Sequence, residues 1–374
     1  MIYFDNAATT RIDDRVLHTM MPYLTENYGN TQSQHTVGRT AANALISARD
    51  KIAALLSCRS DEVYFVSGGT EAGNTALKGV CARHKSGKIV LSAIEHPSLI
   101  ESAEDMKKFG FEVVYVKPDE RGVILPENVE KALTDDTVFC GVMAANNETG
   151  VIQPVEEIGA LCKKRGIFYY ADCVQAAATM PINAGFCDGL GISSHKFYGP
   201  KGAGALYIKS GSKIDRLVSG GRQERGFRGG TVNAAAVVGM AEAYRLAAEE
   251  REATVKKLRE IKEKFLNLVF SQIDGVHING GGEVLPSHVN LSFDGCDGEN
   301  LVFLLDLCKV CVSTGSACSA GAVTPSPVLT AMGLEKSRIK SAVRFSFGKY
   351  NSIEEVAAAV ETLKYAVTNI RNIH

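Results

Sequence analysis

At 374 residues the chain exceeds the size at which one hydrophobic core keeps growing, so two domains are expected. Hydrophobic residues make up 45 % and charged residues 22 %, and 41 basic residues against 42 acidic ones leave a net charge of -1. That balance argues against a nucleic-acid or anionic-membrane footprint. No apolar run approaches a membrane span, and the N-terminus MIYFDNAATT carries an acid and no basic leader, so a cytoplasmic protein is expected.

The first ten residues read as a short apolar start followed by a polar turn, DNAATT. Residues 11–24 read as a helix with Pro22 near its end, and residues 25–39 as a loop. AANALISARDKIAALL has the spacing of an amphipathic helix. From residue 62 apolar strands alternate with helices: EVYFV, KIVLSAI, EVVYVK, TVFCGVMAA and IFYYAD, separated by helical stretches, one of which Pro97 can start. Such alternation predicts an α/β fold with a mostly parallel sheet covered on both faces. GAGALYIK resumes strand character, SGGRQERGFRGGT is a Gly/Arg loop, and residues 233–269 read as one long helix and a hinge. The remainder, including HVNLSF and SAVRFSF as alternating strands, predicts a smaller α+β domain. The expected division is a large domain over residues 11–250 and a small one from residues 1–10 and 251–374.

Ten scattered cysteines do not form a disulfide framework. Cys308 and Cys311 make a lone C-x-x-C with no second Cys/His pair, so no metal site is expected and packing at the end of a short helix is the preferred reading.

Polar clusters follow the carboxyl ends of four strands, where parallel sheets bind ligands. Ser67-Gly68-Gly69-Thr70-Glu71 offers glycines and a helix N-terminus suited to one phosphate, or else a tight turn with Thr70 as N-cap. His96 has a flat ring that can stack on a cofactor and relay protons, or cap a helix. Asn146 and Asn147 supply amides for a phenolic oxygen or a carboxylate, or build a polar turn. Asp172 ends IFYYAD, with Gln175 three residues on, and Ser193, His195 and Lys196 follow in SSHK. An acid and a lysine suit pyridoxal phosphate: the lysine forms an imine with the cofactor aldehyde and the acid keeps the ring nitrogen protonated. Two unrelated solvated charges would be the plain alternative for that pair alone. Arg344 can grip a carboxylate in two-pronged fashion, or sit solvated on an edge strand. Cys318, in STGSACSAG, lies in a composition that predicts a mobile exposed loop, where a thiolate can act as a nucleophile.

In its ordered motifs YFDNAATT, SGGTEAGN, EHPS, NNETG, DCVQ, SSHKFYGPKG, RQERGFRGGT, STGSACS and VRFSFG, the chain resembles the group I (NifS/IscS-type) cysteine desulfurases of the class V aminotransferase family. The resemblance implies a fold-type I homodimer with pyridoxal 5'-phosphate linked to Lys196. Asp172 is then the partner of the ring nitrogen, Gln175 of the ring hydroxyl, and His96 stacks on the ring. Gly69, Thr70, Ser193 and His195 hold the phosphate, with Thr231 reaching the partner subunit's phosphate. Asn147 and Arg344 bind the carboxylate of L-cysteine, and Cys318 takes the sulfur as a persulfide for a sulfur-acceptor protein, with alanine as co-product. Iron–sulfur cluster assembly is among the pathways so served. The chain departs from the family pattern at GNTQSQH and at Arg222, and it lacks the extended C-terminal tail of the housekeeping branch. The alternatives are a selenocysteine lyase, a transaminase, which needs no loop thiol, and a non-catalytic sulfur-relay paralogue.

Overall fold

The computed structural model describes residues 1–315 and 325–373. Twelve strands and twelve helices follow in chain order among these residues. The first half contains β1 (Ile2–Tyr3), α1 (Asp14–Thr25), α2 (Thr36–Leu55), β2 (Val63–Val66), α3 (Gly69–Cys81), β3 (Gly87–Ser92), α4 (Pro97–Lys107), β4 (Phe111–Val116), α5 (Pro126–Ala132), β5 (Thr137–Gly141), α6 (Val155–Arg165), β6 (Phe168–Asp172), β7 (Gly189–Ser193) and β8 (Gly204–Ile208). The second contains α7 (Ala234–Glu249), α8 (Arg251–Gln272), β9 (Val276–Ile278), β10 (His288–Phe293), α9 (Gly298–Leu307), β11 (Val310–Cys311), α10 (Pro327–Ala331), α11 (Lys336–Lys340), β12 (Ala342–Ser346) and α12 (Ile353–Ile373).

Seven strands form one sheet in the order β2-β8-β7-β6-β5-β3-β4. All neighbours are parallel except the two pairs that β8 makes, so β8 alone runs against the rest. The central strands are buried on both faces, as a sheet covered by helices requires: every residue of β7 and β8 is buried. The carboxyl ends of β2, β3, β5, β6 and β7 therefore share one edge.

A smaller C-terminal domain is built on the antiparallel sheet β12-β10-β9. Its apolar core joins Phe4, Phe265, Leu291, Phe293, Phe345 and Phe347 with the inner faces of α8, α9 and α12. Strand β10 alternates as its sequence predicts, with Val289, Leu291 and Phe293 in that core. Its polar face, His288, Asn290 and Ser292, is buried as well. The two-residue β1 pairs in parallel with β11, and Ser346 N–H donates to Phe4 O at 2.7 Å, so the N-terminus is stitched onto the small domain.

The expected single helix over residues 233–269 is two helices. The chain turns at Glu250, whose carboxylate takes Arg15 at 2.6 Å and Lys349 at 3.4 Å. α7 packs on α1 and α2, whereas α8 packs on α12, so one straight helix could not serve both cores. Neither glycine nor proline marks the break. Cys308 also differs from expectation: it is exposed at the end of α9 instead of packed. Among the described residues no helix is long and apolar enough to cross a membrane.

Candidate active site

A cavity of about 220 Å³ opens at the carboxyl edge of the large sheet. It gathers Gly69 and Thr70 from the turn after β2, His96 after β3, and Asn147 after β5. Asp172 and Gln175 follow β6, and Ser193, His195 and Lys196 come from the end of β7. Ala8, from the N-terminal turn, closes one side. A larger hollow of about 880 Å³ lies elsewhere, walled by solvent-facing lysines and aspartates such as Lys163, Lys209 and Asp136. Volume does not choose between them; the convergence of chemically distinct groups does.

Each wall has a local cause. Helix α3 starts at Gly69 with Gly68 as its N-cap, so Thr70 lies inside the first turn and is not the cap. A Cβ on Gly69 would come within 2.7 Å of the Val174 side chain, which explains a glycine at this close approach. His96 both caps α4 and faces the cavity: its Nδ1 accepts from Ser98 N–H at 3.1 Å, and Pro97 holds the first helical position. Asn146 is spent on structure, because its Oδ1 accepts the N–H groups of Glu148 and Thr149, both at 2.9 Å. That turn presents Asn147 to the cavity.

Asp172 projects from the last residue of β6, and its Oδ1 accepts from Val174 N–H at 2.9 Å. Burial pushes its carboxyl up, while the Val174 N–H, His96 and Lys196 pull it back. His96 is pushed down, mainly by burial and in part by Lys196, with Asp172 opposing. His195 falls to about 4, from burial first and then Lys196 and Lys201, so its ring is neutral at neutral pH. Its Nδ1 lies 3.2 Å from Thr9 Oγ1. Lys196 Nζ donates to Ala7 O at 2.5 Å and Ala8 O at 2.9 Å, and Gln175 Nε2 donates to Ala7 O at 3.1 Å. The N-terminal turn thus orients the lysine and the glutamine together.

Arg344 sits one layer behind. It is 4 % exposed, so the solvated reading fails. Its guanidinium donates to Asn147 O at 2.9 Å and to Asp5 Oδ1 at 2.8 Å, and its buried Nε has no partner among the described residues. It reaches the cavity through Asn147 and does not line it. Thr231 is exposed beyond the cavity, at the end of the Gly/Arg loop. Cys318 lies outside the described residues.

The sequence reading assigned no role to three further acids. Glu95 is 4 % exposed; its Oε1 accepts from Ser92 Oγ and from Met143 N–H, the latter at 2.7 Å, and its Oε2 has no partner among the described residues. Burial raises it to about 8, with Asp172 adding to the rise. Arg228 pairs with Glu71 at 2.8 Å, and Glu71 in turn accepts Ser67 N–H, which ties the Gly/Arg loop to the start of α3. Glu224, deep in that loop, accepts Arg49 at 2.7 Å and Phe65 N–H at 2.8 Å. The acids stand in EHPS, TEAG and RQERG, but nothing in those strings says that Glu95 and Glu224 are buried or that Glu71 is paired.

With this geometry in view, comparison with known proteins is direct. The Aminotransferase class-V family model matches residues 2–359. The chain belongs to the class-V aminotransferase family, whose members generally depend on pyridoxal phosphate. A protein named cysteine desulfurase IscS from Dictyoglomus turgidum is 40 % identical over 377 residues, covering 100 % of this chain and 96 % of the relative. A solved structure titled NifS-like protein superposes with a TM-score of 0.93 at 36 % identity, over 98 % of this chain and 99 % of that one. A third, titled SspA in complex with cysteine, gives a TM-score of 0.84 at 31 % identity, over 94 % and 100 %. Within the family, these likenesses place the chain among the NifS/IscS-type cysteine desulfurases.

Proposed function

We propose that the protein converts L-cysteine to L-alanine with pyridoxal 5'-phosphate held in the 220 Å³ cavity, leaving the sulfur as a persulfide on Cys318. The observation that carries the proposal is the meeting of Asp172, His96 and Lys196 in that cavity. The residues present fit the cofactor. A half-buried acid, a lysine and a flat imidazole ring line one cavity, and a glycine cradle opens a helix N-terminus to a phosphate. When bound, the cofactor supplies an aldehyde for the lysine and a ring that accepts electrons.

The chain's own groups do the rest. Asp172, pushed up by burial, is eased by a cationic partner, which suits it to face a protonated ring nitrogen. Gln175, oriented from Ala7, serves the ring hydroxyl, and His96 covers the ring face. Gly69, Thr70, Ser193 and neutral His195 supply donors for the phosphate, with Thr231 reaching across to a partner subunit. Asn147, at the cavity wall, and Arg344, behind it, are the groups for the substrate carboxylate, Arg344 on release from Asn147 O and Asp5. Lys196, its amine steadied by two carbonyls, moves the α-proton. Cys318 thiolate attacks the substrate sulfur; an S–S bond forms, the C–S bond breaks, and its electron pair stays on carbon, which is protonated on the way to alanine. A thiol acceptor then removes the terminal sulfur.

Two wider features belong to the same reading. We take the large domain as residues 11–250 and the small one as residues 1–10 and 251–374: the core around Phe265 and Phe345 draws only on the latter, although Val328, Leu329 and Met332 pack into the core of the large domain. Leu17, Met21 and Leu24 on α1, with Tyr28 and Ile46, are large apolar side chains between 41 % and 72 % exposed, which supports a homodimer.

The test is incubation with L-cysteine and a reductant, following sulfide and alanine. Wild type is expected to be yellow and to form both products; Cys318→Ala is expected to keep its colour and lose turnover. Equal sulfide release by the variant would sink the nucleophile assignment, and a protein unable to take up pyridoxal phosphate would sink the whole reading.

A further inference from the structure

Glu148 is not explained by the chemistry above. It follows Asn147 in the turn after β5, and it is 4 % exposed although its side chain is acidic. Its Oε2 accepts from Ser326 Oγ at 2.5 Å. The same hydroxyl accepts Leu329 N–H at 3.1 Å as the cap of α10, so both of its hydrogen-bonding roles are used. On the other side, Gly315 lies against the carboxylate: a Cβ there would stand 2.9 Å from Oε2 and 3.3 Å from Cδ. Gly315 also has φ +88, a conformation that favours glycine. Gly315 and Ser326 bracket the stretch that contains Cys318. One carboxylate therefore touches both ends of that stretch.

The backbone of Glu148 is fixed as firmly. Its N–H donates to Asn146 Oδ1 at 2.9 Å, and its carbonyl accepts from Asn290 Nδ2 at 3.2 Å on the buried polar face of β10. Arg344, which binds Asn147 O, pairs through its backbone with Ser313, just before Gly315. Burial pushes the Glu148 carboxyl up, and the Ser326 hydroxyl and Arg344 oppose that rise.

We propose that Glu148 is a positioning residue: it holds the two ends of the Cys318 segment together and fixes both to the turn that presents Asn147. The inference rests on the functional reading above, in which Cys318 must meet a substrate held beside Asn147. Fixing Gly315 and Ser326 beside Asn147 in advance lowers the ordering cost of that meeting.

The test uses the holoenzyme, comparing wild type with Glu148→Ala, Glu148→Gln, Ser326→Ala and the Glu148→Ala/Ser326→Ala double variant. Hydrogen exchange over residues 311–315 and 325–330 is expected to quicken ~10-fold in Glu148→Ala and Ser326→Ala, with β6 unchanged, as loss of a local tether requires. Persulfide on Cys318 in a single turnover, read by mass, is expected to slow ~10- to 100-fold, with cofactor colour and KM for L-cysteine nearly constant. Glu148→Gln, which keeps an acceptor for Ser326, is expected to recover part of the rate. The double variant is expected to be no worse than the worse single one. Unchanged exchange, or wild-type persulfide formation in both single variants, overturns the proposal, as does loss of colour in step with rate. If Glu148→Ala does not fold, Ser326→Ala decides alone. Wild type that forms no persulfide on Cys318 overturns the functional reading itself, and this inference with it.

Discussion

Glu95 shows how one buried acid sets a pH limit. Its ordinary value is 4.5 and the folded value is about 8. Below 4.5 both folded and unfolded chains hold the proton. As pH rises from 4.5 towards 8, the unfolded chain releases a proton that the folded one keeps, so stability falls over that window. Glu95→Gln removes the titration. Its melting temperature is expected to exceed wild type at pH 8 and to approach it at pH 5; parallel curves for the two proteins would refute the assignment. The residue stands with His96 in the polar cluster after KIVLSAI, yet its burial is not legible there. A histidine before a proline is chemically conspicuous in a string, whereas the burial of its neighbour depends on Ser92 and Met143 closing round it. Asn146 and Asn147 make the same point: the pair was legible as amides, but only the fold separates the one that builds the turn from the one that faces the cavity.

Strand and helix alternation was readable because period and punctuation are local properties. The carboxyl-edge clusters after EVYFV, KIVLSAI, TVFCGVMAA and IFYYAD met in one cavity as expected. The α7–α8 break was not readable, since it is imposed by two different packing partners. The Gly/Arg loop was legible only as a loop. In the structure Glu224 makes it an anchored element: its side chain is 2 % exposed, it binds Arg49 with two hydrogen bonds, and it accepts Phe65 N–H. Glu224→Ala leaves Arg49 buried without its counter-charge, and an expected loss of about 3–5 kcal/mol in urea unfolding follows. A loss under about 1 kcal/mol would mean that the pair is no more than a surface contact.

The large apolar side chains on α1 and α2 bear on the whole molecule. Leu17, Met21 and Leu24 recur at i, i+4 and i+7, which places them on one face. If two copies meet there, Met21→Asp is expected to shift the protein from dimer to monomer in sedimentation and to reduce activity through the Thr231 contact. A wild-type monomer, or a Met21→Asp dimer of unchanged strength, would place the interface elsewhere.

The first turn of the chain carries a consequence for its synthesis. Ala7 and Ala8 steady Lys196, but residues 2–7 are themselves held by Cys311, Ser346 and Asn351. Residues 2–7 can dock only after partners as far as 339 positions further along the chain have left the ribosome, and such distant pairings form late. The cavity is therefore completed late in biosynthesis, with the large sheet already able to fold around an unfinished lysine pocket. A nascent chain halted before Ala342 is expected to expose residues 1–10 to protease while β5–β7 resist it. Protection of the N-terminus in that halted chain would show that it docks earlier, by contacts to the large sheet alone.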